Sequence, residues 1–146
     1  MLTWTPSLLI GVPWIDAQHQ ALFLRAERFA AASRAGEPGY RLEELFTFLS
    51  NYTLEHFAAE ERAMWQAGYP DLDAHWSLHL AFATELARRK AEYRTSESPV
   101  DVLLDLGLWM DHWLEDHLMG ADAVMARFLR GHGDRPSAPR AAQASH

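Results

Sequence analysis

Residues 42–64 read LEELFTFLSNYTLEHFAAEERAM. Leu42, Leu45, Phe46, Leu49 and Thr53 recur at three- and four-residue steps, the spacing that gathers side chains on one face of an α-helix. The stripe then runs on into His56, Glu60 and Met64, so polar side chains fall where the period demands a core. Three other stretches repeat the pattern. One carries His19, Leu22, Phe23, Ala26 and Phe29, and another Leu72, His75, His79, Phe82 and Leu86. The last carries Leu103, Leu106, Met110, Trp113, His117, Ala121 and Met125. Four amphipathic helices with short links predict an all-α fold, an up-down-up-down four-helix bundle.

Punctuation sets the expected bounds. An extended N-terminal arm covers residues 1–15, and Asp16 caps a first helix that stops at Gly36. The second helix spans about 40–66 and ends at Gly68-Tyr69-Pro70, and the third spans about 71–94. Ser98-Pro99-Val100-Asp101 resembles a capping box with proline at the first helical position, opening a fourth helix to about 130. Residues 1–131 are therefore expected to form one domain. Residues 132–146, rich in Gly, Pro, Ala and Ser, are expected to be a disordered tail.

Composition removes whole classes of function. A chain of 146 residues with 49% hydrophobic side chains can bury a core of its own. A net charge of −7 argues against nucleic acid. The absence of cysteine excludes disulfides, thiolate metal sites and cysteine nucleophiles. No apolar run is long enough to span a membrane, and the first residues lack a basic leader. A mature cytoplasmic monomer is the expectation. What stands out is the 8 histidines beside a single lysine, Lys90.

Taken singly, these polar residues mean little. A lone His19 on an apolar face is ordinarily a hydrogen-bonded core residue, one H-x3-H is ordinarily an accident, and Glu60-Glu61 is ordinarily a solvated face. Together they differ, because all four helices bring ligand-type side chains to one buried layer, where an unpaired polar group is costly. His56 and Glu60, four apart, lie about 40° from each other around a helix, as do His75 and His79. His117 and Asp122 are five apart, an offset of about 140° that needs a bent side chain or a local bulge, and Gly120 between them could permit it. Seven such residues exceed a tetrahedral zinc site, so two metals sharing carboxylates fit better. Imidazole with carboxylate suits iron, with zinc and manganese still open. His112 falls off the ligand face, and His132 and His146 are read as solvated.

The segments Trp14-Ile15-Asp16-x-Gln18-His19, His56-Phe57-x-x-Glu60-Glu61-x-x-Met64, Tyr69-Pro70, His75-x3-His79 and Trp113-Leu114-x-x-His117-x4-Asp122 resemble the hemerythrins, the single-domain bacterial members in particular. The resemblance covers about residues 4–130. It implies one iron on His75, His79 and His117 and a second on His19 and His56. Glu60 and Asp122 would bridge the two iron ions together with an oxo or hydroxo group. It also implies O2 binding at a position left open on the two-histidine iron, inside an apolar pocket of Leu22, Phe57, Trp113, Leu114 and Leu118. Leu118 stands where isoleucine is frequent in the family.

The ligand set supports a binder over a catalyst. Two ferrous ions, two carboxylates and one hydroxide leave a core of about +1, whereas di-iron oxidases use four carboxylates that favour high-valent iron. No acid or base is found among the five pocket residues to donate a proton. Reversible O2 binding for storage, delivery or sensing is thus the expected function. A di-iron enzyme, such as a peroxidase or a nitric oxide-handling protein, is the alternative, and a metal-buffering protein without redox chemistry the third reading.

Overall fold

The computed structural model describes residues 3–35 and 38–132, without the side chains of residues 33, 34 and 38–41. The helices are α1 (Pro13–Arg34), α2 (Pro38–Ala67), α3 (Leu72–Thr95), α4 (Pro99–Asp116) and α5 (Ala123–His132). A π-helical turn, His117–Asp122, joins α4 to α5, so these three segments form the fourth rod of the bundle. α2 packs against α1, α3, α4 and α5. Among the described residues there is no strand, and no helix is long and apolar enough to cross a membrane. The expected stop at Gly36 lies outside the described residues; of the expected tail, 132–146, His132 instead ends α5 and the rest lies outside the described residues.

Local chemistry explains the ends. α1 begins at Pro13 rather than after Asp16; proline at the first helical position supplies a pre-set φ where its missing N–H costs nothing. α2 ends in a left-handed residue, Gly68 at φ 71°, with Gly68 N–H bonded to Trp65 O and Tyr69 N–H to Met64 O. That pair of bonds closes the helix and returns Tyr69 to the core. Ser98 has the extended backbone of an N-cap and Pro99 follows it, but the Ser98 side chain makes no capping bond. The capping box is therefore present in sequence and absent as a hydrogen-bond pair.

Asp16 does something other than cap a helix. Its carboxylate accepts from the arm, from Ile10 N–H at 2.8 Å and Gly11 N–H at 3.1 Å. From the opposite side the Arg130 guanidinium of α5 donates to Ile10 O. One peptide unit of the arm is thus gripped by the first and last helices. Gly11, at φ 85°, permits the grip: a Cβ there would run into the Arg130 guanidinium.

The core has two apolar ends. Phe23, Phe46, Leu49, Phe82, Leu106 and Leu118 belong to the larger cluster, and Ile10, Ile15, Met64, Tyr69, Met125 and Ala126 form the smaller. Between them, each rod changes from apolar to ligand-type side chains. Asp16→Ala should lower stability by about 3 kcal/mol, the loss of two hydrogen bonds to a charged group at about 1.5 kcal/mol each, without loss of helix. Urea unfolding followed by circular dichroism tests this, and unchanged stability would show that the grip contributes nothing.

Candidate metal centre

The middle layer holds His19 from α1, His56 and Glu60 from α2, His75 and His79 from α3, and His117 and Asp122 from the π turn. All seven are buried, Glu60 and Asp122 completely. The π turn resolves the spacing problem at positions 117 and 122. Its backbone bonds step back five residues, as in Ala123 N–H to Leu118 O, so residues five apart stand over one another. His117 Nε2 and Asp122 Oδ1 lie 2.9 Å apart. Gly120 is inside the turn, but a Cβ there would meet nothing within 4 Å, so the turn does not need a glycine. Beyond it the buried stripe is shifted by one residue: Asp122 and Ala126 are buried while Ala121 is only partly so.

The two carboxylates divide their oxygens. Glu60 Oε1 faces His56 Nε2 at 3.0 Å and His19 Nε2 at 3.8 Å. Its Oε2 faces His79 Nε2 at 3.1 Å and His75 Nε2 at 3.6 Å. Asp122 Oδ2 lies 3.2 Å from His19 Nε2, and its Oδ1 lies 3.1 Å from His75 Nε2 as well as close to His117. Two groups of donors result, His19 with His56 and His75 with His79 and His117, and both carboxylates belong to each.

Close as they are, these atoms are poorly aligned for hydrogen bonds. Both oxygens of Glu60 and Asp122, and Nε2 of His19, His75, His79 and His117, are buried without a hydrogen-bond partner. Each such atom ordinarily costs about 1–3 kcal/mol. Lone pairs converging without donors are what a cation needs, and the nitrogen and oxygen set fits two divalent transition metals. Protons do part of the work when no cation is bound. Burial and the neighbouring Asp122 push the Glu60 carboxyl up, but contacts to His56, His75 and His79 outweigh them and hold it well below the usual range. Burial likewise opposes ionisation of Asp122, and His117, His19 and His75 overcome it. His75 shows the reverse: burial lowers it, yet Asp122 and Glu60 raise it to about 9. His117 is lowered, chiefly by burial.

Leu22, Phe57, Leu114 and Leu118 are buried in the larger apolar cluster, and Trp113 packs against it half-buried. Phe57 stacks parallel on His79 with ring centroids 3.7 Å apart, and Trp113 stacks on His117 at 4.2 Å. An open cleft of about 340 Å³ is lined by Trp109, Trp113, His117 and the exposed His112. His132 stacks on Phe128 at 3.9 Å and donates to its carbonyl at 2.8 Å, so it is not simply solvated.

Three neighbours of the ligands escaped sequence reasoning. His56 Nδ1 donates to the Gln18 side-chain carbonyl, and His79 Nδ1 donates to Glu61 Oε1 at 2.9 Å. Tyr52 stacks on His56 at 5.0 Å with its hydroxyl buried and unpartnered. Gln18 precedes His19, Glu61 follows Glu60 and Tyr52 stands four residues before His56; these spacings do not say which imidazole a side chain reaches.

The chain is similar to known proteins over most of its length. The bacteriohemerythrin of Stenotrophomonas maltophilia is 29% identical over 132 residues, 90% of this chain and 84% of the relative. That of Pseudomonas aeruginosa is 30% identical over 122 residues, 84% of this chain and 77% of the relative. The myohemerythrin of Riftia pachyptila is 27% identical over 119 residues, 82% and 86% of the two chains. The family described as Hemerythrin HHE cation binding domain matches residues 10–129. That span contains the two histidine groups and both shared carboxylates, and the chain belongs to the hemerythrin family.

Proposed function

We propose that this protein binds O2 reversibly at a pair of iron ions in the cytoplasm, for storage, delivery or sensing. The observation that carries the reading is the division of Glu60 and Asp122 oxygens between two histidine groups. His75, His79 and His117 would hold one iron and His19 and His56 the other, with Glu60, Asp122 and an oxo or hydroxo group shared between them. The iron pair supplies, when bound, the electrons on which O2 binding draws. Family membership and the names of the relatives support the same activity.

The chain's own residues then decide between binding and catalysis. Five imidazoles beside only two carboxylates donate less charge than a carboxylate-rich set, which favours release over O–O cleavage. Leu22, Phe57, Leu114 and Leu118, buried in the larger apolar cluster with Trp113 packed against it, would form the apolar wall that keeps water and its protons away from bound O2. In the metal-free chain, burial and the Glu60 and Asp122 charges raise the Tyr52 phenol well above its ordinary value.

Anaerobic loading with ferrous iron should give two iron ions per chain. A visible band should appear on exposure to O2 and fade under argon. Irreversible bleaching with turnover of added peroxide would favour an enzyme, and one zinc per chain would sink the iron reading. Leu114→Ala should admit water and speed autoxidation about tenfold, the effect of about 1.4 kcal/mol on a barrier, while both iron ions stay bound. An unchanged rate removes Leu114 from the wall.

The metal-free chain should also show a pH signature. A histidine raised from 6.5 to about 9 stabilises the fold fully below 6.5, and that stabilisation is lost as pH rises through 9. Thermal unfolding of the metal-free chain should therefore shift to lower temperature between about pH 6.5 and 9. Loading with metal, which displaces the His75 proton, should flatten that slope. Parallel slopes in the two forms would mean that His75 is not a ligand.

A further inference from the structure

Three of the five inward-facing imidazoles differ in what their other nitrogen meets. His79 Nδ1 donates to a carboxylate, Glu61 Oε1, at 2.9 Å. His56 Nδ1 donates to a neutral amide carbonyl, that of Gln18. His19 Nδ1 is buried and has no partner. A carboxylate draws the Nδ1 proton toward itself and leaves Nε2 richer in electrons, whereas an amide orients the ring without that gain. The two histidine groups are therefore unequal in more than number.

Glu61 is placed to do this by its neighbour. Glu60 points to the bundle axis and is fully buried. The next residue is turned about 100° around α2, toward α3, where it meets His79 with its side chain 29% exposed. That exposure keeps its side chain in contact with solvent, outside the crowding that surrounds Glu60 and Asp122.

We propose that Glu61 is a positioning residue of the metal centre: its carboxylate fixes the His79 ring and makes the His75, His79 and His117 half the tighter-binding and more electron-donating of the two. Gln18 orients His56 on the other half as a neutral partner. The proposal rests on the two-metal reading above and goes beyond it by assigning the inequality to a residue that touches no metal.

The test uses the full chain stripped of metal and titrated with cobalt(II) against a competing chelator. Wild type should take up two ions in two resolved steps. Glu61→Gln keeps an acceptor and removes the charge, and it should weaken the tighter step about tenfold; Glu61→Ala removes both and should weaken it by up to about a hundredfold. In both variants the weaker step should stay in place, while Gln18→Ala should weaken that step and spare the tighter one. The hyperfine-shifted His79 Nδ1–H resonance of the cobalt form should move in Glu61→Gln and exchange rapidly with water in Glu61→Ala. With iron bound, Glu61→Gln should raise the reduction potential. Glu61→Gln titrating like wild type in both steps overturns the proposal, and equal weakening of both steps overturns it in favour of general loosening. Uptake of fewer than two ions by wild type itself would bring down the two-metal reading, a result distinct from either.

Discussion

Two carboxylates with no access to water sit at the centre of this bundle, and the rest of the structure answers to them. Glu60 and Asp122 face imidazole nitrogens on every side, and neither finds an aligned donor. In a metal-free chain the only available remedy is protonation of the cage, and His75 is the imidazole that both carboxylates hold toward its charged form. A proton on one ring leaves most of the converging lone pairs unmet. The buried clusters above and below the layer are apolar, and Gln18 and Glu61 reach the Nδ1 side of the imidazoles rather than the carboxylates. Stability and cation binding are therefore two aspects of one arrangement, because what makes the layer expensive when empty makes it favourable when filled.

The fold was legible because the polar anomaly and the helical period coincide. His56 and Glu60 could be placed on a buried face only since Leu42, Leu45, Phe46 and Leu49 had already fixed that face. Less legible was anything that depends on a side chain choosing among several partners. Asp16 has the composition of a helix cap, and only the path of the arm shows that it serves Ile10 and Gly11 instead. Ser98 and Asp101 have a capping-box pattern, yet Ser98 makes no side-chain bond. Gln18 and Glu61 lay inside recognisable motifs, but reaching His56 and His79 depends on interhelical distance, which a single sequence does not contain.

The π turn shows how a five-residue spacing becomes usable. An uninterrupted α-helix would send His117 and Asp122 to different sides. Spending one extra residue on the turn aligns them, and the same residue shifts everything after it by one position along the buried face. The stripe read from sequence, through Ala121, gives way to one through Asp122 and Ala126. A fixed-period reading across that segment averages two phases, and so it placed Met125 correctly while missing Ala126.

The grip on the Ile10–Gly11 peptide carries a mechanical meaning. Because α1 and α5 hold opposite sides of one peptide unit through Asp16 and Arg130, the described chain is tied into a loop at the end nearest His19 and Asp122. Unravelling that starts at the arm releases the last helix, and fraying of the last helix frees the arm. α1, which supplies His19, and α5, which follows directly on Asp122, are thus coupled in their local opening. Protection of the Ile10 and Gly11 amides against solvent exchange becomes a gauge of how firmly the metal layer is closed from below.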